Sequence, residues 1–389
     1  MTDAAASHPA PLPLDSASNS TSNWASTPTP KRRREPLLSR RYTLEIRQHM
    51  AWPAQVLVLL LAVLVGMALS GAILVAAGVP AGELFQEFVI ATVFDTQSLQ
   101  AVLFQASPMI MVGLAAAIAF RARFWNLGLE GQMVWGAIGA TAISIFEIGP
   151  PALRLPLMLC VAAVCGLLWA LGPVLLKLRL GVNEIIATLM LNYIAGNFLL
   201  HLLYGAWKDP QSAFPHSPQF RSFERLPEFL GASGAAVSLA LVAMLLAWWL
   251  VNLSRAGLYL RFVDANPGVA HATGVPTDRM VLLAVLVSGG LAGVAGFLVA
   301  AGQEGRLTQA FHHGYGFSGI LIAFLARNHP IAASIVALLI ATLFVAGRSL
   351  QVFYQIPFSM VQLIQAIIVI CVASSDFFIR YRLRRVLPG

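Results

Sequence analysis

Three stretches of this 389-residue chain place polar side chains inside otherwise apolar sequence. The first, FWNLGLEGQMVWGAIGA at Phe124–Ala140, sets Asn126, Glu130 and Gln132 among glycines. Gly128 and Gly131 relax the backbone or admit a neighbouring helix. The three polar side chains offer hydrogen-bonding groups at the mouth of a span, where unsatisfied polar groups are costly. The competing reading is a loop whose polar groups are simply solvated. The second stretch, GVNEIIATLMLNYIAGN at Gly181–Asn197, spaces Glu184, Thr188 and Asn192 four apart, so they share one helical face, with Tyr193 and Asn197 as a neighbouring pair at the same spacing. Such a stripe wants either a partner helix to bond to or a water-filled path to line. The third, SRAGLYLRFVDANPGVAHATGVPTDR at Ser254–Arg279, is a long polar connector. Pro267 after Asn266 opens a short helix with Asn266 as its cap, and Gly274 ends it. A short helix in such a loop is either a docking element or a plain connector.

The elements that position these residues follow from composition. Hydrophobic residues make up 58% of the chain and charged ones 11%, with a mean hydropathy of +0.75, far from the roughly 25% charged residues of soluble domains. The chain is therefore an integral membrane protein. Its first uncharged run, 54–82, exceeds the ~20 residues that cross a bilayer as a helix, and it is too long for a signal-peptide core. The expected fold is all-α and polytopic, with about ten transmembrane or broken helices near 54–79, 98–120, 127–147, 152–176, 184–204, 233–252, 280–301, 316–327, 330–347 and 359–377. The eighth is too short to cross ~30 Å of hydrocarbon at 1.5 Å per residue and reads as a broken or half-depth helix.

Residues 1–48 are expected to form a disordered basic tail on the cytoplasmic side, because residues 1–30 are rich in Ala, Ser, Thr and Pro and are followed by Lys31, Arg32, Arg33, Arg34, Arg40, Arg41 and Arg47. Residues 49–389 form the transmembrane domain. Alternating sides from a cytoplasmic N-terminus puts Arg121, Arg123, Lys177, Arg179, Arg255 to Arg279, Arg327 and Arg380 to Arg385 inside, so both termini are expected in the cytoplasm. GLAAAIAFRARFWNLGLEGQ from Gly113 resembles GLAGVAGFLVAAGQEGR from Gly290, which suggests an inverted repeat of the kind that builds a midplane pathway.

Several chemistries are excluded or unsupported. The only lysines are Lys31, Lys177 and Lys208, and none lies in a G-x-x-x-x-G-K-[ST] loop, so the chain does not hydrolyse ATP itself. No catalytic residues, metal site or cofactor are expected. His312 and His313 are adjacent, point apart in regular structure, and fit an outer loop. Cys160, Cys165 and Cys371 lie in apolar segments and are expected to be packing residues. The net charge of +8 clusters beside spans, where it reports membrane orientation and not a nucleic-acid partner.

FWNLGLEGQMVWGAIGA, GVNEIIATLMLNYIA, RFVDANPGVAHATGV and GYGFSGILIAFLARNHP, in this order, resemble the permease subunits of bacterial ABC importers of the branched-chain amino acid, ribose and nucleoside type. The first two look most like the nucleoside-uptake subgroup. The resemblance covers about residues 50–380. It implies a subunit of the bacterial cytoplasmic membrane, surrounded by lipid. Its expected partners are a second homologous permease, two cytoplasmic ATPase subunits and an extracytoplasmic substrate-binding protein. With this resemblance beside the polar stripes, Asn126, Glu130, Gln132, Glu184, Thr188, Asn192, Tyr193 and Asn197 are expected to belong to the substrate pathway, with NLGLEGQ at its inner mouth. Asp264, Asn266, Pro267, Ala270 and Gly274 would belong to the coupling helix that docks on the ATPase. This chain departs from the family pattern at Asp264, where a glycine is usual, and at Leu325-Ala326-Arg327, where a Leu-Gly step is usual. A ribose- or galactose-type sugar importer is the nearest alternative. An ion-coupled secondary transporter is disfavoured by the scarcity of acids within spans.

Overall fold

The computed structural model describes residues 42–47, 50–80, 82, 92, 94–227, 234–309, 311 and 314–385. The tail before residue 42 and the His312–His313 pair lie outside the described residues.

Twelve α-helices follow one another among the described residues of the main unit, residues 48–380. They are α1 (Trp52–Ala76), α2 (Thr96–Arg121), α3 (Leu129–Ile145), α4 (Pro151–Leu180), α5 (Glu184–Tyr204), α6 (Gly234–Asn252), α7 (Arg255–Ala265), α8 (Pro267–Ala272), α9 (Thr277–Leu298), α10 (Tyr315–Leu325), α11 (Pro330–Tyr354) and α12 (Phe358–Arg380). Eight of them are long and apolar enough to cross a membrane. Two more, α3 and α10, are apolar but short. At 1.5 Å per residue the 17 residues of α3 reach about 25 Å and the 11 of α10 about 16 Å. All ten expected segments are thus helices, and the eighth is the half-length one.

The second unit is small. Tyr42–Ile46 (β1) and Tyr381–Arg385 (β2) pair antiparallel, with Thr43 opposite Arg384 and Leu44 opposite Leu383. YTLEI alternates in polarity with period two, a strand pattern, and its partner strand is YRLRR.

Small residues set the packing of the main unit. α2 is buried over most of its length, and α3, α4 and α9 meet where glycines remove any side chain between backbones. A Cβ at Gly293 of α9 would collide with the Ala162 carbonyl of α4, and one at Gly166 would stand 2.7 Å from the Gly293 Cα. Glycine at these crossings lets helices approach to backbone contact, the main route to tight packing where lipid supplies no hydrophobic drive. Cys165 touches this seam at Gly139, and Cys371 packs on Gly66, whereas Cys160 is exposed on α4 and packs no core. Its position on the helix face, not its apolar neighbourhood in sequence, decides that.

Candidate functional site

The segment between α2 and α3 is where the backbone departs from a regular span. α2 stops at Arg121, Arg123 takes a left-handed conformation (φ 53°), and 124–128 runs into the bundle without helical bonding before α3 starts at Leu129. Irregular backbone at membrane depth is tolerated only where protein satisfies it. The sequence supplies that. The buried amides of Asn126 and Gln132 bond each other reciprocally at 3.0 Å, and Asn126 Nδ2 also donates to Ser288 Oγ of α9 at 3.0 Å. The Leu127 amide donates to Thr188 Oγ1. Asn192 closes the clamp, accepting from the Gly131 amide at 2.8 Å and donating to the Leu127 carbonyl at 2.8 Å.

The stripe on α5 is therefore bonded to the NLGLEGQ segment. Asn192 is eight residues beyond Glu184, about 12 Å along the helix.

Where these elements meet there is a cavity of about 350 Å³ lined by Glu130, Asn192, Tyr193, Asn197, Gln309 and Phe317, with apolar residues such as Val134 and Leu189 between them. Glu130 occupies the first turn of α3. Gly316, in the first turn of α10, packs so closely on it that a Cβ there would lie 2.6 Å from the Glu130 amide nitrogen. Two broken helices thus present their N-terminal ends at one place, where their dipoles favour electron-rich groups. Tyr193 and Phe317 are 67% and 50% exposed, and neither has a ring partner among the described residues. Trp135, by contrast, is stacked between Trp169 and Phe198 at 4.6 and 5.1 Å.

Of the eight expected pathway residues, Glu130, Asn192, Tyr193 and Asn197 line the cavity. Asn126, Gln132 and Thr188 are buried behind it. Glu184 stands at the foot of α5, paired with Lys177 at 2.6 Å. Gln309 and Phe317 were missed. Gln309 lies in a connector with no periodicity, and Phe317 in a short apolar run reads as lipid-facing until the break before α10 is known.

The end of the bundle that holds Lys177 and Glu184 also holds the third polar stretch. α8 spans Pro267–Ala272, with Asn266 Oδ1 accepting from the Gly268 and Val269 amides at 3.0 and 3.2 Å and Gly274 in the left-handed region (φ 85°). The cap and terminator read from sequence are those used. Ala270 is buried against Val263 and Val275, so it anchors the loop, while Val269 (58% exposed) and Phe262 (48%) face outward. At the opposite end, residues 205–227 strap across the end of α9, where a π-helical turn covers Val299–Glu304. The Ser217 amide donates to the Leu307 carbonyl and the Phe220 amide to the Gly305 carbonyl. There Arg154 and Glu224, both buried, pair at 2.8 Å. Burial pushes the Glu224 carboxyl up, but hydrogen bonds from Arg154, Ser144 and the Arg221 amide outweigh it and hold it below its ordinary value.

Full-length spans around two shorter helices whose N-terminal ends meet at one cavity, with a capped short helix at one end of the bundle, are the build of a polytopic membrane transport protein. A family model described as branched-chain amino acid transport system, permease component, matches residues 98–373, and the chain belongs to that family. It is the multi-pass membrane permease subunit of an ABC importer, a class that works with ATPase and substrate-binding partners. Among curated relatives, the glucose ABC transporter permease TsgB13 of Haloferax volcanii is 33% identical, over 83% of this chain and 88% of that protein. The guanosine ABC transporter permease NupP of Bacillus subtilis is 29% identical, over 83% and 94%. The nucleoside ABC transporter permease NupB of Lactococcus lactis is 27% identical, over 74% and 83%.

Proposed function

We propose that this chain is the permease subunit of an ATP-driven importer of nucleosides and that the cavity between α3, α5 and α10 is its share of the substrate pathway. The cavity's lining carries this reading: two aromatic faces free for a flat base, three carboxamides (Asn192, Asn197, Gln309) and one carboxylate (Glu130) for its polar edge and ribose hydroxyls. The names of the guanosine and nucleoside relatives support it. Glu130, Asn192, Tyr193 and Asn197 contact substrate, while Asn126, Gln132 and Thr188 hold the broken backbone in place.

A polar cavity flanked by the exposed apolar side chains Ile186, Met190 and Ile194 of α5 is costly to leave facing lipid. A second permease subunit covers it. The loop from Asp264 through Asn266, Pro267 and Ala270 to Gly274 docks on one of two cytoplasmic ATPases through its outward Phe262 and Val269, and ATP-driven closure rocks the spans between outward- and inward-open states. Both chain ends are cytoplasmic. β1 and β2 lie side by side, which asks for an even number of crossings.

Uptake of labelled guanosine and labelled glucose by vesicles carrying the whole complex tests the substrate. Guanosine uptake that falls in Tyr193→Ala and Phe317→Ala is expected. Glucose uptake without nucleoside uptake would place the chain with the sugar importers instead.

A further inference from the structure

We propose that Arg123 is the positioning residue through which the α7–α8 loop moves the wall of the cavity; this rests on the coupling role proposed above for that loop. Its guanidinium donates from Nε and Nη2 to the Asp264 carbonyl at 2.8 and 2.6 Å and from Nη2 to the Ala265 carbonyl at 3.1 Å. These are terminal carbonyls of α7, the residues immediately before the Asn266 cap of α8. A guanidinium fork on a helix's last carbonyls satisfies groups the helix itself leaves open and opposes its negative end. The α7–α8 corner is thereby tied to the α2–α3 connector at a residue whose left-handed φ already marks a conformation fixed by its surroundings.

From Arg123 the connection continues in two branches, one of hydrogen bonds and one along the backbone to a hydrogen-bonded residue. Its own carbonyl accepts from Lys177 Nζ at 3.2 Å, and the same ammonium pairs with Glu184, the first residue of α5. Along the chain, three residues separate Arg123 from Leu127, which Asn192 and Thr188 bond to the same helix. Both branches end on α5, which carries Asn192, Tyr193 and Asn197 into the cavity. A displacement of the α7–α8 corner therefore pulls on the connector and α5 together, while Arg121, two residues earlier, bonds to the Asn328 carbonyl and ties that end of α2 to the α10–α11 turn instead.

The test uses the assembled complex with its ATPases and binding protein. In Arg123→Ala the ATPases still co-purify, because Phe262 and Val269 are untouched. The maximal rate of guanosine uptake falls about tenfold, with little change in the half-saturating concentration, in the range of coupling changes seen along such connections. Arg123→Lys, which keeps a charged donor, recovers part of the rate. A second measurement does not depend on substrate: hydrogen exchange at the Leu127, Gly128 and Gly131 amides, before and after trapping the ATPases with ATP and vanadate. Wild type changes its exchange on trapping, and Arg123→Ala does not. An alanine variant that responds to trapping as wild type does, or that keeps its uptake per ATP hydrolysed, overturns the role of Arg123. A wild-type complex that shows no response to trapping overturns the coupling reading itself and the role of Arg123 with it; a wild type that responds but moves no guanosine overturns only the substrate.

Discussion

Asn192 is the residue at which a packing role and a pathway role can be separated by energy. Replacing it with leucine removes the acceptor of the Gly131 amide and the donor to the Leu127 carbonyl, both at 2.8 Å. Neither backbone group has a helical partner to fall back on, since Gly131 lies in the first turn of α3 and Leu127 in the non-helical segment before it. A buried group left without its partner costs about 1–3 kcal/mol, so two cost about 2–6 kcal/mol. Leucine also has to fit where Gly131 already crowds the site: a Cβ on Gly131 would lie 3.2 Å from the Asn192 Cα. Asn197→Leu is the comparison. Its amide bonds only the Tyr193 carbonyl one turn back, which keeps its helical position, so the loss is below about 1 kcal/mol. Thermal unfolding of the two variants in lipid nanodiscs, followed with guanosine uptake, reads both roles. Asn192→Leu should unfold several degrees lower and transport poorly; Asn197→Leu should unfold near wild type yet lose uptake. Equal stability of the two variants would show that the clamp between α5 and the NLGLEGQ segment does not hold the fold.

Two further substitutions test the frame around the site. Gly293→Ala should abolish folded, monodisperse protein in size-exclusion chromatography, because the added methyl meets helix backbone and not a movable side chain, whereas Gly290→Ala, with only the Ala163 carbonyl at 3.7 Å, should be tolerated. Arg154→Met should destabilise by about 3–5 kcal/mol by leaving Glu224 buried without its cation, and Arg154→Met with Glu224→Gln should recover much of that loss. Because the folded Glu224 carboxyl titrates below its ordinary value, its contribution is present above about pH 4.5 and is lost as pH falls through the folded value; unfolding profiles of wild type and Glu224→Gln should converge in that acid range.

The helices were legible because their signal is one of composition: an apolar run of ~20 residues has few alternatives in a bilayer. The short α8 was legible to its ends for a different reason. Asn266, Pro267 and Gly274 each act on their own backbone, and local chemistry can be read locally. Polar side chains within spans are another matter, because what they do depends on a partner far off in sequence. Asn126 and Ser288 are 162 residues apart, and Asn192 reaches back across 61 to Gly131. Spacing put Thr188 and Asn192 on one face, but it could not say that this face bonds to the NLGLEGQ segment, or that Asn192 also lines the cavity with Tyr193 and Asn197, a step around the helix. The same limit hid Phe317. Its neighbours in sequence are apolar, and only the approach of Gly316 to Glu130 turns that aromatic ring from a lipid-facing side chain into part of a polar cavity's wall. Which side chains line the cavity therefore becomes visible only after the bonds that satisfy the broken backbone have been assigned.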